Sequence, residues 1–187
     1  SKFHEEVSGA VTQANHPWKS QERLRELGLD PNQITNWFRI KNLTDRPYTL
    51  VDLTASDVQD FAQILGGVIR KCYFPDAKLA QQALALKKTP SQILQAVLPD
   101  KGSVMSGDFG EILTYIYHAV KQLPKEATGI KKWHLKQDRT KAAPFSDIVH
   151  FILPNWPEAS SEDQLICSEV KTKATNGNSR PISEAMV

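Results

Sequence analysis

Apolar positions recur at helical spacing through "TASDVQDFAQILGGVIRKCYF", where Val58, Phe61, Ile64, Leu65 and Val68 fall on one side. Thr54 or Ser56 offers an N-cap oxygen, so a helix is predicted to start there. Shorter helices are expected over "AKLAQQALAL" and "TPSQILQAVLP". A longer one over "DFGEILTYIYHAVKQL" gathers Ile112, Leu113, Ile116, Val120 and Leu123 on one side. Upstream, "NHPWKSQERLRELGLD" reads as a short polar helix closed by Gly28, since glycine tolerates the left-handed conformation at a helix end. The β-rich runs "ITNWFRIKN" and "PYTLVDLT" flank the turn-prone "LTDRP" and predict a hairpin over residues 34–53.

The period changes in the second half. "IKKWHLKQ" is expected as a strand, and "DIVHFIL" with "QLICSEVK" as a hairpin across a proline-rich loop. The final "PISEAMV" reads as the first turns of a helix that the chain does not complete, so the C-terminal unit is expected to be incomplete. "PDKGSVMSGD" is predicted as a loop and separates an N-terminal α+β region, 1–104, from a C-terminal unit, 105–187. No repeat of fixed period and no low-complexity tract interrupts this order.

Composition narrows the class. A chain of 187 residues with 40% hydrophobic and 24% charged residues is neither disordered nor membrane-like. No apolar run approaches the roughly 20 residues that span a bilayer, so a soluble protein without a membrane partner is expected. Cys72 and Cys167 are far apart and no apolar leader opens the sequence, which points to reduced thiols in a cytoplasm. A net charge of +2 does not announce nucleic-acid binding, but its distribution matters more. "KQLPKEATGIKKWHLKQDRTK" sets Lys121, Lys125, Lys131, Lys132, Lys136, Arg139 and Lys141 against only Glu126 and Asp138. Such a segment suits either phosphate contacts or an ordinary solvated face.

Strand alternation puts Cys167, Glu169 and Lys171 on one face of "LICSEVK". If the hairpin aligns the start of its first strand with the end of its second, Asp147 lies beside Glu169. Adjacent carboxylates repel unless a cation separates them, and a divalent cation with oxygen ligands is the natural occupant. Asp147, Glu169 and the Val170 carbonyl are the expected ligands. Lys171 would orient the attacking water or stabilise charge on phosphate. Glu111, expected one turn into its helix, would assist through water, although the helix dipole alone also favours a first-turn glutamate.

Other chemistries lack their residues. "DFG" at 108–110 has no glycine-rich loop or catalytic loop to make a kinase. There is no phosphate-binding GxxxxGK[ST], no zinc-type CxxC or HExxH and no GxSxG elbow. His150 is expected in the core or at the surface, and Cys167 as packing beneath the site.

The set Glu111 in "GDFGEIL", Asp147 in "PFSDIVH", and Glu169 and Lys171 in "ICSEVKTK" resembles the PD-(D/E)XK nuclease superfamily over residues 106–187. Ser146 stands where that name places a proline, with Pro144 two positions earlier. From about residue 50 onward, the order "SGDFGEILTYIY", "LPKE", "KKWHLK", "DIVHFIL", "EVKTK" is similar to HamA, the nuclease subunit family of Hachiman antiphage defence systems. The resemblance implies an α+β fold with a restriction-endonuclease-like mixed sheet flanked by helices, behind an N-terminal α+β extension. It also implies a metal-dependent DNA nuclease using Mg²⁺, with Mn²⁺ able to substitute, and a HamB-like helicase partner that holds it silent. On this reading Lys131, Lys132, Lys136, Arg139, Lys141 and Lys173, with Arg180 secondary, hold the DNA backbone. Trp37, Phe38 and Tyr48 in the N-terminal region would meet the partner. A second class is a catalytically inert nucleic-acid- or protein-binding module on the same fold; the intact charge set favours the enzyme.

Overall fold

Helices and two small antiparallel sheets make an α+β fold in the computed structural model, which describes residues 20–54, 58–123, 125, 127–136 and 138–173. Helix α1, Ser20–Glu26, ends as predicted, with Gly28 at φ +84°. The next segment departs from expectation. The Asp30 carboxylate accepts from the Asn32 backbone N–H and Pro31 takes the first helical position, so α2, Pro31–Ile34, and a 3₁₀ turn, Thr35–Trp37, form where a strand was predicted. The hairpin is therefore shorter, with β1, Phe38–Lys41, antiparallel to β2, Leu50–Leu53, and Phe38 opposite Leu53.

Three predicted helices follow: α3, Val58–Tyr73, α4, Asp76–Leu86, and α5, Pro90–Val97. Thr89 and Gln92 form a reciprocal capping box at the start of α5. The predicted loop over 99–108 is mostly helical, because α6 already begins at Ser103 and runs to Lys121. The cap candidate Ser56, the helix start over 181–187 and Arg180 lie outside the described residues.

The second sheet has the order β3-β4-β5, made by β3, Ala127–Gly129, β4, Ile148–Ile152, and β5, Gln164–Ser168. The β4–β5 hairpin is as expected, with Ile148 opposite Ser168. Residues 130–136 do not form the predicted strand. After Ile130 donates to the Val149 carbonyl, the chain leaves the sheet and Lys132–Leu135 coil into a 3₁₀ turn. Among the described residues every strand pairing is antiparallel, so they hold no parallel pair of the kind a mixed sheet requires.

Helix α6 lies against β3, β4 and α1, and one cluster of buried side chains joins them. Leu24, Ile34, Val68 and Cys72 from before residue 104 pack with Ile112, Tyr115, Ile116, Trp133 and Ile148 from after it. Burial pushes the Cys72 thiol up to about 12, so it behaves as a small apolar side chain. Trp37 meets Phe61 edge-on at 4.8 Å and Phe38 meets Tyr117 at 5.3 Å, and both are half-buried against this core.

His150 is 1% exposed between Ile148 and Ile152, its ring 4.9 Å from that of Tyr115. Neither ring nitrogen has a hydrogen-bond partner among the described residues. Burial, with His118 nearby, lowers its pKa from 6.5 to about 3. His118, which shares a 2.8 Å hydrogen bond with Ser168, is shifted down for the same first reason. The unfolded chain therefore binds protons that the fold rejects, and stability falls as pH drops from about 6.5 toward 3, at up to about 1.4 kcal/mol per pH unit for one such group. His150→Leu should flatten this acid limb and lower the acid-unfolding midpoint while changing stability at pH 7 little; urea melts at a series of pH values measure it.

Candidate active site

The buried stripe of α6 reads Asp108, Glu111, Ile112, Tyr115, Ile116, Ala119, Val120, spaced by three and four. Two carboxylates thus occupy the same face as the apolar core residues. Glu111 sits about two turns into the helix rather than in its first turn, beyond the reach of the terminal dipole. Its burial needs a local partner.

The 3₁₀ turn and the residue after it supply partners for both carboxylates. Lys136 Nζ lies 2.6 Å from Asp108 Oδ2, and the Tyr73 hydroxyl donates to the same oxygen. Burial first, and Asp108 second, push the Tyr73 phenol far up, which keeps it a donor. Lys132 Nζ lies 3.2 Å from Glu111 Oε2, an oxygen that also accepts from Trp133 Nε1 at 3.1 Å. Burial raises the Glu111 pKa, Lys132 opposes that shift, and Asp147 and Asp108 reinforce it.

The hairpin delivers the remaining members. Continuing the register one step past Ile148 and Ser168 sets Asp147 opposite Glu169. Strand β5 ends at Ser168, and the Val170 backbone N–H then donates to Asp147 Oδ2 at 2.7 Å. The other Asp147 oxygen lies 3.7 Å from Lys132 Nζ. One ammonium therefore faces a helix carboxylate and a strand carboxylate together. Lys171 Nζ is 2.5 Å from Glu169 Oε1, and that hydrogen bond holds the Glu169 carboxyl below its ordinary range. A side chain on Gly110 would collide with Thr172, so the segment after Lys171 crosses α6 directly beside Glu111.

Of the expected ligands, Asp147 shares a common cation with Glu111, the residue expected to assist, while Glu169 pairs with Lys171 at an exposed position. No group of three His, Cys, Asp or Glu side chains poised around a metal occurs among the described residues. The donors that do converge are carboxylate oxygens already facing a positive charge, a set that fits a hard cation such as Mg²⁺.

The basic segment divides. Lys132 and Lys136 were expected on a strand facing phosphate; the turn instead directs both inward to Glu111 and Asp108. Lys131 lies 3.7 Å from Glu26. Arg139 pairs with Asp100 and donates to the Gln95 carbonyl at 2.7 Å. Lys141 keeps a 78% exposed side chain 3.5 Å from Asp138, and Lys173 is exposed. Sequence reasoning passed over Asp108, Tyr73 and Trp133. Asp108 is marked by its place on the apolar stripe of α6, whereas nothing in the sequence pairs Trp133 with Glu111.

No curated protein and no solved structure matches the chain. The family model described as HamA matches residues 32–186, a span that contains Asp108, Glu111, Lys132, Asp147, Glu169 and Lys171. With most of its length matched, the chain belongs to the HamA family.

Proposed function

We propose that this protein is a metal-dependent DNA nuclease and the effector of a Hachiman-type antiphage defence system, acting beside a helicase subunit. The observation that carries the reading is the meeting of Glu111 and Asp147 on one cation, next to the Glu169–Lys171 pair. Asp147, Glu169 and the Val170 carbonyl would hold Mg²⁺, with Glu111 assisting. Bound there, the metal supplies Lewis acidity to a phosphate oxygen and to the attacking water.

The chain's own groups do the rest. The Val170 N–H and the Trp133 indole fix the orientations of Asp147 and Glu111. Lys171 offers an ammonium to the charge that develops on phosphorus-bound oxygen as water adds and the P–O bond to the leaving oxygen breaks. The leaving oxygen takes a proton from solvent. No helix among the described residues is long and apolar enough to cross a membrane.

Cleavage of plasmid, linear duplex or single-stranded DNA in Mg²⁺ or Mn²⁺, lost by at least about a hundredfold in Glu169→Ala and Lys171→Ala, is the expected result. DNA binding without cleavage by the wild-type chain would instead favour the inert binding module.

The exposed lysines Lys141 and Lys173 are the stronger candidates for the DNA backbone, since Lys132 and Lys136 are committed to buried carboxylates. Lys141→Ala and Lys173→Ala should each weaken binding on all sequences alike and flatten the salt dependence by about one unit of slope. A slope unchanged in the double variant removes both from the interface.

On this reading the helicase would dock on the N-terminal region. Trp37 and Phe38 belong to the core, which leaves Ile40, Tyr48 and Leu50 on the β1–β2 hairpin as the exposed apolar contacts. Because the core crosses residue 104, a point change tests this better than truncation. Tyr48→Asp with Ile40→Asp should abolish co-purification with a co-expressed helicase while leaving the melting temperature within a few degrees.

A further inference from the structure

Lys132 is 3% exposed and lies 3.2 Å from Glu111 Oε2 and 3.7 Å from Asp147 Oδ1. Each of these carboxylates also accepts a hydrogen bond from another group: Trp133 donates to Glu111, and Val170 donates to Asp147. The ammonium thus sits between two carboxylates whose orientations are also fixed by other donors. A flexible four-carbon stem carries it from a short 3₁₀ turn, and Lys136, just after that turn, is separately anchored on Asp108.

We propose that Lys132 is a resident counter-ion of the metal site, competing with the divalent cation for Glu111 and Asp147, so that metal loading requires its ammonium to withdraw. This rests on the metal-site reading above and adds a control to it: the affinity of the site for metal is set by a cation of the protein itself. The chemistry is symmetrical, since carboxylate oxygens that satisfy an ammonium also suit Mg²⁺. It is also reciprocal, because whatever the lysine gains from the two carboxylates the metal must overcome. The adjacent Trp133, bonded to one of the shared carboxylates, reports the exchange.

Calorimetric titration of the full chain with Mg²⁺, without DNA, compares the wild type with Lys132→Gln and Lys132→Met. Both variants should bind Mg²⁺ at least about tenfold more tightly, and Mg²⁺ should raise their melting temperatures more than it raises that of the wild type. Should a variant fold poorly in metal-free buffer, the wild type alone gives the answer: Mg²⁺ should change tryptophan emission, and Trp133→Phe should remove that change.

Equal or weaker Mg²⁺ binding in the variants, or saturating Mg²⁺ binding without any Trp133 signal, overturns the counter-ion role and leaves the nuclease reading standing. Absence of Mg²⁺ binding in the wild type and in both variants overturns the metal site and, with it, this inference. Asp147→Asn serves as the control that any observed binding belongs to this site, since it should weaken Mg²⁺ binding in wild-type and Lys132→Gln backgrounds alike.

Discussion

A lysine ammonium taken almost wholly out of water is tolerated only where opposite charge meets it, and removing one partner of such a buried pair commonly costs about 3–5 kcal/mol. Lys132 imposes that condition here. Its two carboxylates come from different elements, Glu111 from helix α6 and Asp147 from the entrance to strand β4. The turn that carries it must therefore sit where helix and sheet come closest. Trp133, next in sequence, fills the core beside Tyr115 at 5.8 Å and returns a hydrogen bond to Glu111. The pair Lys136 and Asp108 repeats the arrangement farther toward the start of α6, with Tyr73 bringing in α3. Helix, turn and sheet are consequently held together by charge as well as by the apolar cluster beneath.

The same arrangement explains why "DFGE" is structural even though it makes no kinase. Asp108 and Glu111 are the two anions of the buried stripe, and Gly110 is the place where the chain beyond Lys171 crosses the helix. The residues proposed for chemistry are thereby gathered from three separate parts of the sequence.

Much of this was legible beforehand because it rests on local periodicity. The helices over α3 and α6 follow their apolar spacing, and the β4–β5 register is the one that aligns the start of the first strand with the end of the second, as the sequence reading supposes. The facing of Asp147 and Glu169 needed only that register. What remained hidden depends on contacts distant in sequence. "IKKWHLK" alternates as a strand does, and only the anions of α6 make a turn with inward lysines the better solution. Sequence likewise reports the charge of Lys132 but not its direction, so a buried counter-ion and a phosphate contact look alike. The 34–37 segment is a different case, since Asp30 and Pro31 were visible as a helix start and outweighed the β-rich run behind them.

The bond from the Val170 amide to the Asp147 carboxylate closes the hairpin at the end opposite its connecting loop. A hairpin pinned at its open end does not depend on its turn for alignment. Residues 153–163, which are tied mainly to one another through Asn155, Ser160 and Asp163, can therefore lengthen or shorten at a loop-closure cost of only a fraction of a kcal/mol. The alignment of Asp147 with Glu169 is insulated from such changes. Insertions, epitope tags or a grafted recognition loop are thus best accommodated there, at the far end of the sheet from the acidic side chains.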